Sequence, residues 1–281
     1  MATVAYPTVP ANGANIPVLG LGTWQSRNDE AAAAVEAALR NGYRHIDTAI
    51  AYDNEEAVGE GLRSAGVQRD GIFITTKVPP EQIGAGALER AAESSLKRLK
   101  LDHVDLLLIH WPNHSISLKE SMRALAAAKR EGLTRHIGVS NFPVALLEEA
   151  VHHSPEPLAA NQCEYHPRLN QDAVLAACRR HGLAFTSYTP LGRTQILSDP
   201  VIAAIAERVE RTPAQIVLRW HIQQPDVVAI PKSQSPDRIV ENSRIFDFVL
   251  EDDDMAAISA LARPDGRLVN PSWGPQWDDP K

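Results

Sequence analysis

The chain lacks most of the features that would staple, anchor or polarise a protein. It has two cysteines, Cys163 and Cys178, without metal-ligand spacing and too few for a disulfide framework, which fits a reducing compartment. No apolar run approaches the ~20 residues of a membrane span, and no basic segment followed by an apolar stretch opens the chain. A basic excess is missing as well. The net charge is -7, which argues against nucleic acid or an anionic membrane as the main partner and confines any anion site to a local patch. A further absence is the glycine fingerprint of dinucleotide-binding folds, because Gly20-Leu21-Gly22 continues with Thr23-Trp24-Gln25 rather than closing a GxGxxG. What remains is an ordinary globular composition, 44% hydrophobic and 22% charged, expected to be soluble and cytoplasmic.

Along the chain, short β-prone runs alternate with helical ones. Asn12-Gly13, between β-prone segments of residues 4 to 16, predicts a hairpin ahead of the main fold, placed to plug one end of a barrel. Strands are expected at Val18 to Thr23, Arg44 to Thr48, Gly71 to Lys77, Val104 to His110, Thr134 to Val139, Leu158 to Cys163, Leu183 to Tyr188 and Asp226 to Ile230. A helical pattern follows each. Asp199-Pro200 and Thr212-Pro213 each set a capping residue before a first-turn proline, so two helices are expected between the last two strands. Eight strand-helix units without an internal linker predict an α/β (β/α)₈ TIM barrel, one domain over residues 1–281, with an open doubly wound sheet as the alternative. The tail from Arg263, rich in Pro, Gly and Asp yet carrying Trp273 and Trp277, is either loosely ordered or a flap over the site.

In a barrel the carboxyl ends of the strands meet at one mouth. Here they carry Gly22-Thr23, Asp47, Lys77, His110, Ser140-Asn141, Gln162, Tyr188 and Lys232-Ser233, and Tyr52 falls in the loop just past Asp47. Each residue alone has a bland reading: Asp47 as a cap, Lys77 as its ion-pair partner, His110 as a satisfied core histidine. Together they form a proton-transfer group. Tyr52 is protonated at neutral pH and can donate to a developing alkoxide, Lys77 is expected to lower the phenol's pKa, Asp47 to hold the ammonium, and a neutral His110 to orient the substrate oxygen. At the other end of the mouth, Lys232-Ser233-Gln234-Ser235-Pro236-Asp237-Arg238 places cations at a helix start, which suggests a bound phosphate; the alternative is Arg238 reaching to Asp237 or Glu241 on a solvated helix.

GYRHIDTAIAYDNEEAVG, FITTK, DLLLIHWP, RHIGVSN, NQCEYHP, SYTPLG and IPKSQSPDRIVENSRIFDF resemble the aldo-keto reductase family, in the family's order and over nearly the whole chain. The likeness is to its short members of the 2,5-diketo-D-gluconate reductase type. This resemblance implies an NADPH-dependent barrel oxidoreductase that reduces small aldehydes, α-dicarbonyls or keto sugars, with Tyr52 as proton donor and Asp47, Lys77 and His110 as partners. It also implies that Ser140, Asn141 and Gln162 hold the nicotinamide carboxamide while Tyr188 stacks on the ring. Gly22, Thr23, Asp47, Leu191, Gly192, Ile230, Lys232, Ser233, Gln234 and Arg238 are implied to line the rest of the cofactor site, with Glu241 and Asn242 on adenine. Trp24, Tyr52, His110, Trp111 and Trp273 are the expected substrate contacts, no metal is expected, and Trp220 is expected in the core. A monomer is expected. Two departures stand out: Asp53, where glycine is common, and Gln234, where an apolar residue is common. The alternatives are a Schiff-base lyase using Lys77 and an NADPH-binding sensor on the same scaffold.

Overall fold

A computed structural model describes residues 6–278. Residues 4 and 5 of the segment expected to form the hairpin lie outside that range. Strands β1 (Thr8–Ala11) and β2 (Ala14–Pro17) pair antiparallel, with Val9 opposite Ile16. Asn12 and Gly13 supply the positive φ of the turn, 45° and 90°, as a tight hairpin requires. The inward residues Val9, Ala11, Ala14 and Ile16 pack with Leu106, Leu108, Ala160 and Val228 of the barrel interior. Asn12 Nδ2 also donates to Leu158 O at 2.7 Å, at the first residue of its strand. The hairpin therefore closes the amino end of the barrel, as the sequence led us to expect.

The main sheet has eight strands: β3 (Leu21–Gly22), β4 (His45–Asp47), β5 (Phe73–Val78), β6 (Val104–Ile109), β7 (Thr134–Ser140), β8 (Leu158–Glu164), β9 (Ala184–Tyr188) and β10 (Val227–Ala229). Neighbours in sequence pair in parallel throughout. The two ends of this order also meet. Gly20 N donates to Ala229 O at 2.9 Å, Ala229 N to Val18 O at 2.8 Å, and Gly22 N to Pro231 O at 3.1 Å, so the sheet closes on itself. Closure requires glycine at position 22, since a Cβ there would stand 2.8 Å from Ile230 O.

Around the sheet run α1 (Asn28–Arg40), α2 (Glu55–Ser64), α3 (Ala87–Leu99), α4 (Leu118–Arg130), α5 (Val144–His153), α6 (Asp172–Arg180), α7 (Pro200–Val209), α8 (Pro213–Gln223), α9 (Pro236–Ser243) and α10 (Asp252–Ser259). The two proline-led starts behave as the sequence indicates. Asp199 caps α7 by accepting from Val201 N, and Thr212 with Gln215 forms a capping box on α8, each satisfying N–H groups that the first turn leaves without partners. Between helices and sheet lies the larger core, which includes Trp220, 1% exposed. Burying both faces of the sheet is what lets strands such as Val104–Ile109 read as unbroken apolar runs.

Candidate active site

Lys77 is the most buried charge at the mouth. It sits near the end of β5 with no exposed surface, beside Asp47, which ends β4 and is 1% exposed. Its Nζ donates to Asp47 Oδ1 at 2.6 Å, to the backbone oxygen of Thr48 at 2.7 Å, and to Tyr52 Oη at 3.3 Å. An ammonium has three protons and no lone pair, so these contacts use it completely. Asp47 Oδ2 is held in turn by Gln162 Nε2 at 2.7 Å. Burial is the largest single influence on Lys77 and opposes its charge. The attraction of Asp47 and Tyr52 and the hydrogen bonds they make outweigh it, leaving the pKa above the ordinary lysine value.

Tyr52 ends a 3-10 turn, Ile50–Tyr52. Because Lys77 can only donate, the phenol oxygen accepts from it and the phenol proton points elsewhere. Lys77 does lower the phenol's pKa, as the sequence led us to expect, but the net shift is upward. Burial raises it more than Lys77 lowers it, and the negative charge of Asp47 adds to the rise. His110 follows β6 and meets the Tyr52 ring edge-on, centroids 5.6 Å apart. Burial and the nearby Lys77 charge push its pKa down to about 3, so the imidazole is neutral at physiological pH.

Two neighbours that the sequence reading passed over hold this group together. Asn54 precedes α2 and looks like a cap, but its side chain caps nothing. It accepts from Thr48 Oγ1 at 2.9 Å and donates to Thr23 O and Ser26 O at 2.8 and 2.9 Å, tying the Tyr52 loop to the turn that carries Trp24. Glu55, 1% exposed, accepts from Thr76, Ser95 and both Nε and Nη2 of Arg98. The only sequence signal was a charged pair at the start of a helix. Asp53 takes φ 54° and ψ 38°, the conformation glycine favours, so the loop keeps its shape at a backbone cost of roughly 1–2 kcal/mol.

Further around the mouth, Ser140, Asn141, Gln162 and Tyr188 form a connected shelf. Asn141, itself at φ 65°, donates to His110 O and Ser140 Oγ and accepts from Tyr188 Oη at 2.8 Å. Ser140 Oγ donates to Gln162 O at 2.8 Å. Leu191 and the buried Gly192 follow β9, and Ile230 is 4% exposed beyond β10. Thr23 spends both its N–H and its hydroxyl on Asp47 O.

At the far end, Lys232 stands beyond β10 rather than at its tip, in a bridge with Gly22. Ser235 caps α9 by accepting from Arg238 N, and Ser233 Oγ accepts from Ser235 N at 3.2 Å. Arg238 makes no side-chain hydrogen bond or ion pair among the described residues. A serine-capped helix start flanked by an unpaired guanidinium and an ammonium is a donor set suited to a phosphate. On the same helix Glu241 Oε1 accepts from Thr212 Oγ1 at 2.8 Å, and Asn242 is buried.

The aromatic wall is ordered. Trp111, nearly buried, meets Trp273 and Trp277 edge-on at 5.2 and 6.0 Å. Arg267 lies 3.7 Å over the Trp277 ring, and Leu268 N and Val269 N donate to the buried Glu164. The tail is thus ordered against Trp111 rather than loose. Trp24 is 42% exposed across the mouth, with Arg193 over its ring at 5.6 Å.

Comparison with known proteins agrees with this geometry: the family model described as "Aldo/keto reductase family" matches residues 18–263. The chain belongs to the aldo/keto reductase family. It is 44% identical to the glyoxal reductase of Bacillus subtilis, over 92% of this chain and 94% of that protein. A solved structure of a putative 2,5-diketo-D-gluconic acid reductase B superposes with a TM-score of 0.93 at 43% identity, covering 97% of this chain and 98% of that one. The aldo-keto reductase of Bombyx mori, solved in complex with NADP, superposes at 0.87 with 34% identity, covering 92% and 94%. Membership makes this chain an oxidoreductase of NADP(H)-using barrels. No helix among the described residues is long and apolar enough to cross a membrane.

Proposed function

We propose that this reductase converts the carbonyl of small aldehydes, α-dicarbonyls or keto sugars to an alcohol, with Tyr52 as proton donor. The observation that carries the reading is the complete use of the Lys77 ammonium by Asp47, Thr48 and Tyr52, which leaves the phenol proton free for a substrate oxygen. A bound reduced nicotinamide supplies the hydride. As charge develops on the substrate oxygen, Tyr52 Oη gives up its proton, and the Lys77 ammonium 3.3 Å away stabilises the phenolate left behind. Neutral His110 orients the same oxygen. A lyase reading has little support, because a lysine whose three protons are all donated offers no lone pair to a carbonyl. Trp24, Trp111 and Trp273 are the aromatic contacts of the substrate in this reading, and a small carbonyl substrate is in keeping with the glyoxal reductase named among the relatives. Replacing Tyr52 with Phe is expected to lower kcat with methylglyoxal by about 10²–10⁴-fold while NADPH still binds, as followed by fluorescence; turnover within tenfold of the parent sinks the assignment.

Ser140, Asn141 and Gln162 hold the carboxamide in this reading, Tyr188 stacks on the ring, and the start of α9 takes the 2′-phosphate through Lys232, Ser233 and Arg238. Arg238→Ala is then expected to reduce the NADPH-over-NADH affinity ratio about tenfold or more, the worth of one charge-assisted contact, measured by titrating both cofactors. An unchanged ratio overturns the phosphate assignment. The chain acts as a monomer in the cytoplasm: among the described residues the exposed large apolar side chains are Trp24 and Trp273, which border the mouth, and Val249, which stands apart.

A further inference from the structure

Gln234 stands between a cation and an anion. Its Oε1 accepts from Lys232 Nζ at 2.8 Å, and its Nε2 donates to Glu30 Oε2 at 2.6 Å. Glu30 lies in the first turn of α1, so the amide links the start of one helix to the loop before α9. That loop is already pressed against the end of β3 by the bond from Gly22 N to Pro231 O. Only a side chain with both an acceptor and a donor can make this link, and an apolar residue would leave Lys232 unheld.

The two cations at the start of α9 therefore differ. Arg238 has no side-chain partner among the described residues, whereas Lys232 is engaged through Gln234 with a carboxylate behind it. Burial lowers the pKa of Lys232, and Glu30 is the charged group that works against that shift. A phosphate arriving at α9 meets Arg238 unopposed but has to share Lys232 with this amide, and it is repelled by the negative charge of Glu30.

We infer that Glu30, acting through Gln234, competes with the cofactor's 2′-phosphate for Lys232 and thereby limits how strongly the chain prefers NADPH to NADH. The inference rests on the reading above that the start of α9 receives that phosphate. It concerns affinity and not chemistry, since neither residue is near Tyr52 in the chain of contacts. Both side chains are at the surface, so the repulsion is screened by salt.

The test is titration of the parent protein and its Glu30→Gln, Gln234→Val and Arg238→Ala variants with NADP+ and with NAD+, read by tryptophan fluorescence at low and high salt. Glu30→Gln is expected to tighten NADP+ about threefold at low salt, with the gain shrinking at high salt and NAD+ unchanged. Gln234→Val is expected to shift NADP+ in the same direction. If Arg238→Ala weakens NADP+ but Glu30→Gln does not tighten it, or tightens NAD+ equally, the competition is disproved while the phosphate site stands. If Arg238→Ala leaves NADP+ unaffected, the phosphate reading falls and this inference falls with it.

Discussion

Tyr52 and His110 show how burial dominates the assignment of protonation. Tyr52 keeps its proton because burial lifts its pKa above 10 despite the Lys77 ammonium, and His110 stays neutral because burial and Lys77 push it down to about 3. The pH dependence follows with definite signs. In the reductive direction the active form is the protonated phenol, so kcat should stay flat from pH 6 to 9 and fall only above pH 10. In alcohol oxidation the phenolate is the working form, so the rate should climb through the same region. A titration near pH 6.5 in either direction that persists in Tyr52→Phe would show that His110 ionises and would remove it as a neutral hydrogen-bond partner. Residue type and position made Asp47, Tyr52, Lys77 and His110 legible in the sequence, because each ends or follows a strand whose apolar character marks it as buried. The direction of the Tyr52 shift was not legible, since it depends on how much water the folded loop excludes.

Among the elements, β3 is where local sequence and global closure meet. It is two residues long, yet Gly20 just before it and its own Gly22 bond to β10 and to the loop beyond it. With a Cβ at Gly22 only 2.8 Å from Ile230 O, Gly22→Ala must push the backbone just beyond β10 away. A cost of about 1–3 kcal/mol is expected, seen as a lower urea midpoint, together with weaker cofactor binding because Lys232 rides on the displaced loop. An unaltered midpoint would mean the barrel seam is slack. Helix starts at Asp199 and Thr212 were readable from single residues, since a cap acts within three positions. Asn54 was not readable that way: its side chain spans Thr23, Ser26 and Thr48, contacts made only after two strands have paired.

For the molecule as a whole, three histidines whose pKa values are lowered mainly by desolvation shape the response to acid. His45, His110 and His221 all have pKa values lowered mainly by burial, the last two to about 3. A base with a depressed folded-state pKa contributes its stability above its unfolded value, 6.5 here, and loses it as pH falls below that. Each of His110 and His221 should therefore cost about 1.4 kcal/mol per pH unit between 6.5 and 3. Urea midpoints measured across that range should drop steeply, and His221→Gln should flatten the slope; a parent protein as stable at pH 4.5 as at 7 would contradict it.

By itself the sequence determined the alternation of strands and helices, the polar groups at the strand ends and the cation pair at the start of α9, because periodicity, capping and burial pattern act over a few residues. Only the tertiary structure decided which of those groups touch. The folding of the Trp273 and Trp277 tail onto Trp111, the full use of the Lys77 protons, and the link from Glu30 to Lys232 join segments up to 204 positions apart. No local rule carries that distance, whereas closing eight strands into a ring brings their ends within hydrogen-bond reach.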